Sequence, residues 1–319
     1  MLKKKTSSVL VTGSCGFIGK NLLEKLLKSN LYLIGSYNRN KNFIKNTKIN
    51  YFQINTSNRS HLDRIPVPET IVHLSNKVFT SQALKLKKKI DFNDSINSMR
   101  NILEFCKDKK VKKLIYVSSS TGYPKSNNKL SENLYFDRRP SKENLQVGLM
   151  SRKLEKIISK FSKQRTFKTK IIILRPSAIY GKYDNFIRYP RLIPQIIKKA
   201  YSNKSYIKIP GSGSYIRNWI SVTEFVNLIA KLIFFNINKK LLTVNISSDK
   251  NYSTMEVVKK ILKILNKKNF IIKKTSILEK KINKKMLDNS KMKALGLSVD
   301  NKTFDFHLKE TISWYNNSK

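Results

Sequence analysis

Short apolar segments alternate with amphipathic ones over the first half of the chain. Segments with apolar residues three or four positions apart predict helices at 17–28, 96–107 and 149–161. Runs rich in β-branched and aromatic residues predict buried strands between them. These runs are 9–12, 32–36, 51–54, 71–75, 114–119 and 171–176. Strands that alternate with helices predict right-handed crossovers and a parallel sheet with helices on both faces.

The alternation ends after Pro176. Loops rich in Tyr, Gly and Asn at 180–189 and 210–218 separate segments with helical periodicity. The helices predicted there are 191–201, 223–235, 254–265 and 306–315. We therefore predict an α/β protein with a doubly wound parallel sheet of Rossmann type over residues 1–176. A smaller C-terminal α/β part would follow over 177–319, with possible exchange of chain between the two.

Composition narrows the class of protein. The chain has 319 residues, of which 40% are hydrophobic and 10% aromatic, so it can bury a core and is not a disordered or collagen-like chain. No apolar run approaches the roughly 20 residues of a membrane span, and residues 1–5 lead directly into a strand without a signal-peptide pattern. Cys15 and Cys106 form neither a disulfide framework nor a metal-site spacing. We predict a cytoplasmic protein without a metal site.

The charge is strongly unbalanced. Sixty-five basic residues face 20 acidic ones, for a formal net charge of +45. Such a charge would attract nucleic acid, but only 12 of the basic residues are arginines and the lysines are spread over the whole chain. We interpret the excess as solvated surface and predict no specific nucleic-acid partner; charge-driven nucleic-acid binding remains the alternative.

Three glycines mark the junction of the first strand and the first helix. Gly13 allows a tight turn, Gly16 lets the backbone approach a pyrophosphate, and Gly19 permits close packing of helix on sheet. The start of the helix offers unpaired N–H groups to the anion. This placement predicts a binding site for a nicotinamide dinucleotide.

The G-x-x-G-x-x-G spacing resembles the short-chain dehydrogenase/reductase superfamily, in its extended branch of NAD-dependent epimerases and dehydratases that act on nucleotide sugars. Further matching motifs follow in the same order, at 72–75, 116–120, 123–125, 174–181, 211–213, 217–220, 288–291 and 295–296. Within the branch, the chain is most similar to the GDP-L-fucose synthase-like members. The residues that carry this second likeness are 77–78, 119–125, 180–186 and 192–194.

The resemblance implies where the cofactor would bind. Besides the three glycines, its contacts would come from Phe17, Ile18, Arg39, Asn55, Leu74, Pro176 and Ile179. NAD-specific proteins place a carboxylate at the end of the second strand, yet residues 35–41 contain no acid. Arg39 and Lys41 would instead pair with a 2′-phosphate, so we predict NADP, with NAD as the alternative.

The resemblance also shows what this chain lacks. The family's general acid/base is a Tyr with a Lys four residues later, and a cation is needed to make a phenol effective near neutral pH. With Gly148 and Glu155 as alignment marks, these positions fall on Val147 and Ser151. Ser119, the expected catalytic hydroxyl, is retained, whereas Arg191 replaces the His expected in the fucose synthase-like members.

Nearby groups are candidate substitutes for the missing Tyr and Lys. Tyr123 could supply a phenol and Arg152 or Lys153 a cation, but we expect all three on surface faces.

The predicted reaction is epimerisation, reduction or dehydration of a nucleotide-diphosphate sugar through hydride transfer. Ser119 would hydrogen-bond the reacting sugar oxygen, and Thr121, Lys199 and Arg217 would contact the substrate. The alternative is a catalytically degenerate dinucleotide-binding sensor or partner subunit. The family resemblance further implies a possible homodimer.

Overall fold

The computed structural model describes residues 7–75, 91–187, 190–202, 206–209, 211–267, 270–274, 284–299 and 304–318. The strands are β1 Ser8–Thr12, β2 Tyr32–Tyr37, β3 Ile49–Gln53, β4 Thr70–His73, β5 Lys113–Val117, β6 Lys170–Pro176, β7 Ala178–Tyr180, β8 Tyr206–Ile209, β9 Ile216–Ser221, β10 Leu241–Ile246, β11 Asn251–Ser253, β12 Ile271–Lys274 and β13 Lys284–Lys285. The α-helices are α1 Phe17–Leu26, α2 Arg59–Leu62, α3 Asn93–Asp108, α4 Leu145–Ser162, α5 Leu192–Ala200, α6 Val222–Phe234, α7 Thr254–Ile264, α8 Ser290–Ala294 and α9 Phe304–Asn317.

Seven parallel strands form the main sheet, in the order β10-β6-β5-β4-β1-β2-β3. Helices cover both of its faces, because the strands are apolar on both sides. One core packs α1 and α6 against the sheet, and the other packs α3 and α4 against the opposite face. The prediction of a doubly wound α/β sheet is confirmed.

The chain direction across the sheet changes between β1 and β4. Strands β2 and β3 extend the sheet on one side of β1, and β5 and β6 extend it on the far side of β4. Ligands of such sheets bind in the crevice beyond the carboxyl ends of the strands at this point. The segments that follow β1, β4, β5 and β6 therefore meet at one edge.

The C-terminal part adds two smaller sheets. Strands β11, β9 and β13 are joined by β7, which pairs with β9, and β12 pairs with β8. Helices α6 and α7 begin at capping boxes, in which Ser221 pairs with Glu224 and Ser253 with Glu256.

The predicted elements of the first half all appear, with ends that move by a few residues. Sequence periodicity missed the short strands of the second half, and the loop predicted over 210–218 was wrong in its last residues, because β9 begins at Ile216. It also missed β10, which lies beyond Pro176 but pairs with β6 in the main sheet. The boundary at residue 176 stays a prediction. The 77–78 motif lies outside the described residues.

Candidate active site

The glycine turn lies at the crevice between β1 and β4. Gly13 has a φ of +65°, a conformation that side chains disfavour. A Cβ on Gly19 would lie 2.8 Å from the Cα of Ser14 and closer still to the carbonyl of Gly13, so helix and turn pack too tightly for any side chain. No side chain caps the start of α1. Its first N–H groups therefore remain available to an anion, and this geometry fits the diphosphate of a dinucleotide.

The segment after β4 lies against this turn. Thr12 Oγ1 accepts hydrogen bonds from the backbone N–H groups of Leu74 and Ser75, at 2.9 and 3.2 Å. The Leu74 carbonyl oxygen would lie 3.2 Å from a Cβ on Gly13. The predicted contact residue Leu74 therefore borders the glycine turn.

The loop after β2 folds back onto the glycine turn. Asn40 Nδ2 donates to the Cys15 carbonyl at 3.1 Å, and the neighbouring Arg39 is exposed. The predicted contact Asn55 lies after β3, where its side chain accepts hydrogen bonds from the backbone and hydroxyl of Ser57. Arg39 is thus an exposed residue of the loop that contacts the glycine turn.

Ser119 and Thr121 form a pair of half-buried hydroxyls just after β5. Their oxygens are 2.9 Å apart, and Ser119 Oγ also accepts from the Thr121 N–H. The buried Tyr135 donates its hydroxyl proton to the Ser119 carbonyl at 2.9 Å. The two predicted residues therefore lie together in a turn with a fixed backbone.

Helix α4 packs directly on this turn. A Cβ on Gly148 would lie 2.6 Å from the Thr121 carbonyl oxygen. Val147 and Ser151 are one helical turn apart, with Ser151 Oγ donating to the Val147 carbonyl at 3.0 Å. This packing supports the assignment of both residues to the vacated Tyr and Lys positions.

A buried ion pair lies beneath the same turn. Arg175, on β6, bonds both carboxylate oxygens of Glu155 on α4, with its shortest contact at 2.6 Å. Glu155 also accepts from the hydroxyl of Ser118 at 2.5 Å. Arg175 is therefore structural, as an anchor of the end of the sheet: it ties α4 to β6, while the Ser118 bond ties the same carboxylate to the residue before Ser119.

Two of the suggested substitutes for the missing pair belong to this buried region. Tyr123 is 1% exposed, donates to Asn245 and accepts from Arg175, and burial is the main cause that raises its pKa to about 12. Arg152 is also buried and donates to the carbonyls of Gly122 and Arg138. The expectation of surface positions was wrong for both residues and right for Lys153.

Arg217 lies beside a second cation that the sequence did not single out. Lys285 of β13 is its partner across the strand pair with β9. Both residues are half-buried, and Arg217 Nε is enclosed without a hydrogen-bond partner among the described residues. Burial lowers the pKa of Arg217, and burial followed by repulsion from Arg217 lowers the pKa of Lys285 to about 7. Two cations side by side are an arrangement that could hold a dianion.

The remaining predicted contacts, Pro176, Ile179 and Lys199, lie in β6, β7 and α5. Pro176 ends β6 and is buried, and Ile179 is buried in β7, opposite Ile220 of β9. Lys199 is half-exposed near the end of α5 and donates to the carbonyl of Lys208 at 3.2 Å.

The described residues contain no cluster of His, Cys, Asp or Glu that could hold a metal ion. Nor does any helix within the described ranges have the length and apolar character that a membrane crossing needs.

Several known proteins resemble the chain over nearly its whole length. A GDP-L-colitose synthase from Yersinia pseudotuberculosis is 26% identical over 91% of this chain and 92% of its own. A GDP-L-fucose synthase from Dictyostelium discoideum is 24% identical over 97% and 95%.

Solved structures share the fold. A UDP-N-acetylglucosamine 4-epimerase from Methanobrevibacter ruminantium in complex with UDP-N-acetylmuramic acid has a TM-score of 0.85 at 20% identity, over 99% of this chain and 100% of its own. A GDP-L-fucose synthetase from Naegleria fowleri bound to NADP has a TM-score of 0.81 at 19% identity, over 100% and 95%.

The family model described as NAD dependent epimerase/dehydratase family matches residues 9–246. That span contains the glycine turn, the Ser119 turn, helix α4 and Arg217. The chain therefore belongs to the NAD dependent epimerase/dehydratase family.

Proposed function

We propose that the protein converts the sugar of a nucleotide-diphosphate sugar by hydride transfer to or from a bound nicotinamide dinucleotide. The observation that carries the proposal is the meeting of four segments at one edge of the sheet. Gly13, Leu74, Ser119 and Pro176 follow or end β1, β4, β5 and β6, whose carboxyl ends flank the point where the sheet changes direction. A cofactor held by the glycine turn would thus lie across the Ser119 turn.

Each part of the site has a separate task. The uncapped start of α1 would hold the cofactor's diphosphate, and Arg217 with Lys285 would hold the diphosphate of the substrate. Ser119 would donate a hydrogen bond to the sugar oxygen that gains or loses hydrogen, and Thr121 keeps the Ser119 hydroxyl oriented. The bound nicotinamide supplies the hydride chemistry.

The proposal is tested by turnover. The purified protein is mixed with NADP or NAD and with UDP-glucose, GDP-L-fucose or dTDP-glucose, and nicotinamide absorbance and sugar products are followed. Formation of a product that requires the cofactor supports the enzyme. Tight cofactor binding without any product would favour the degenerate sensor or partner subunit, an alternative for which the comparisons give no support.

Replacing Gly16 with Asp is expected to abolish dinucleotide binding while the fold persists. The position is exposed at the start of α1, and a carboxylate there would repel the diphosphate. Fluorescence titration measures the affinity, and Asn128→Asp adds the same charge on another exposed loop as the control. Gly16→Ala adds only bulk, since its Cβ would lie 3.1 Å from the Gly13 carbonyl. Unchanged affinity in a folded Gly16→Asp protein would refute the assignment.

The cofactor preference is predicted from Arg39. Arg39 is exposed in the loop whose next residue, Asn40, bonds the glycine turn, so NADP is expected to bind more tightly than NAD. In an Arg39→Gln variant the preference should shrink by roughly tenfold, because a charge-assisted hydrogen bond contributes about 1.5–3 kcal/mol. Arg64→Gln, an exposed change elsewhere, is the control. Tighter binding of NAD by the unmodified protein would contradict the prediction.

Substrate affinity is expected to depend on pH through Lys285. Its pKa of about 7 means that the ammonium is charged below pH 7 and neutral above it in the empty site. A bound diphosphate favours the charged form, so the dissociation constant for a nucleotide sugar should rise about tenfold per pH unit from pH 7 upward.

Calorimetric titration between pH 6 and 9 measures this slope. Lys285→Met should bind weakly at every pH, and Lys285→Arg should bind tightly at every pH. The same slope in the Lys285→Met protein would assign the pH dependence to another group.

We also propose a homodimer and a cytoplasmic location. Helices α3 and α4 pack side by side, and Leu149 is exposed on the outer face of α4. Lys153, Lys156 and Lys160 share that face, so added salt should favour association by screening them. Light scattering at low and high salt tests the dimer, and fluorescent tagging tests the location.

A further inference from the structure

Arg191 connects the C-terminal part to the first residue of the cofactor helix. Its guanidinium lies 4.7 Å from the centre of the Phe17 ring. Phe17 directly follows Gly16 and opens the uncapped start of α1. A positive charge is therefore held beside the N–H groups that would face a diphosphate.

The pairing of Arg191 with Asp184 leaves hydrogen-bonding capacity unused. Arg191 Nε and Nη2 both bond one carboxylate oxygen, Oδ1, at 3.2 and 2.7 Å. The other oxygen, Oδ2, is enclosed and has no partner among the described residues, although Asp184 is only 5% exposed. Nη1 of Arg191 makes none of the described hydrogen bonds, and 37% of the side chain is exposed. With respect to the described residues, the guanidinium thus keeps one unbonded, accessible edge.

Lys182 and Tyr183, which precede Arg191 in the chain, also contact helix α1. Asn21 Nδ2 donates to the Lys182 carbonyl at 2.9 Å, and the Tyr183 hydroxyl donates to Glu24 at 2.5 Å. The Lys182 ammonium also pairs with Glu24. These contacts hold Lys182 and Tyr183 against α1. The position of Arg191 over Phe17 is therefore part of a larger interface between the C-terminal part and this helix.

We infer that Arg191 is a diphosphate-binding residue that acts together with the start of α1, through the free edge of its guanidinium. The inference rests on the proposed function, since it assigns a further contact to the same site. Dinucleotide and nucleotide sugar both carry a diphosphate. The dinucleotide is favoured, because Arg191 stacks on the residue that opens the cofactor helix, whereas Arg217 and Lys285 form a separate cation pair on β9 and β13.

The test compares two ligands in one set of variants. NADP and NAD are titrated by fluorescence, and UDP, GDP and dTDP by calorimetry, each at low and high salt. Arg191→Gln should weaken dinucleotide binding about 10- to 100-fold, the loss expected for a charge-assisted hydrogen bond, and should reduce its salt dependence. Its affinity for the nucleoside diphosphates should not change. The dinucleotide affinity of Arg191→Lys should lie between those of the unmodified protein and Arg191→Gln, because lysine keeps the charge but lacks the planar guanidinium fork.

Two controls separate binding from folding. Arg138→Gln removes an exposed arginine whose ion pair, within the part of the chain that the structure describes, is with its neighbour Asp137, and it should change neither affinity. The double variant Asp184→Asn with Arg191→Gln removes the carboxylate that the single variant leaves unpaired. It should recover the melting temperature of the unmodified protein without recovering dinucleotide affinity.

Several results would overturn the inference. Recovered dinucleotide affinity in the double variant would mean that Arg191 acts only by neutralising Asp184. Loss of nucleoside diphosphate binding alone would assign the residue to the substrate. Unchanged dinucleotide affinity in Arg191→Gln would show that Arg191 does not bind the diphosphate and would leave the proposed function intact. Failure of the unmodified protein to bind either dinucleotide would overturn both the inference and the proposed function.

Discussion

The double substitution Val147→Tyr with Ser151→Lys is expected to raise turnover of the protein by about 10²- to 10⁴-fold, the usual contribution of general acid–base catalysis. The two positions are one turn apart on α4, and Gly148 between them touches the Ser119 turn. A phenol and an ammonium placed there would lie on one helical face beside the Ser119 hydroxyl. Steady-state rates with each cofactor and nucleotide sugar measure the gain.

A control double variant separates the effect of proton transfer from the effect of side-chain size. Val147→Phe with Ser151→Met fills nearly the same space without a titratable group and should leave turnover low. Ser119→Ala should remove the activity of both the unmodified and the double-substituted protein, because it deletes the hydroxyl that contacts the sugar. Rapid turnover by the unmodified protein that survives Ser119→Ala would place the active site elsewhere.

Replacing Glu155 with Gln is expected to lower the free energy of unfolding by about 3–5 kcal/mol, because it leaves the charge of Arg175 buried without its counter-ion. The side chains are 3% and 4% exposed, and the carboxylate also holds the Ser118 hydroxyl. Urea denaturation measures the change. Glu143→Gln breaks a surface pair with Lys125 and should change stability by less than about 1 kcal/mol.

A second variant tests the cause of that loss. Replacing both partners, Glu155→Met with Arg175→Met, removes the uncompensated charge and should be less destabilising than Glu155→Gln alone. A double variant that is as unstable as the sum of its single variants would show that the two charges do not interact.

The alternation of apolar segments was sufficient to predict six of the seven strands of the main sheet and the helices α1, α3 and α4 that cover it, but not β10. A parallel strand buried on both faces is a continuous apolar run, and this signal is local in the sequence. The glycine turn was predictable for the same reason: strand, turn and helix are adjacent in the chain, so Gly13, Gly16 and Gly19 could be assigned before the fold was known.

The alignment of α4 was predictable in part. Gly148 and Glu155 could be chosen as alignment marks from sequence, but only the structure shows why they are fixed points: one touches the Ser119 turn and the other bonds Arg175. The burial of Tyr123 could not be inferred, because its partners Asn245 and Arg175 are distant in the chain.

The short strands of the second half and the Arg217–Lys285 pair depended on tertiary structure alone. A lysine in a lysine-rich chain carries no local mark in the sequence. The pKa of Lys285 is lowered because the pairing of β13 with β9 places it beside Arg217 in a desolvated position. Likewise, Arg191 is close to Phe17 only after the C-terminal part has folded onto α1. The sequence by itself determined the elements of the first half and the glycine turn, whose contacts are local. Tertiary structure decided which cations lose their water and face one another, because desolvation depends on residues far apart in the chain.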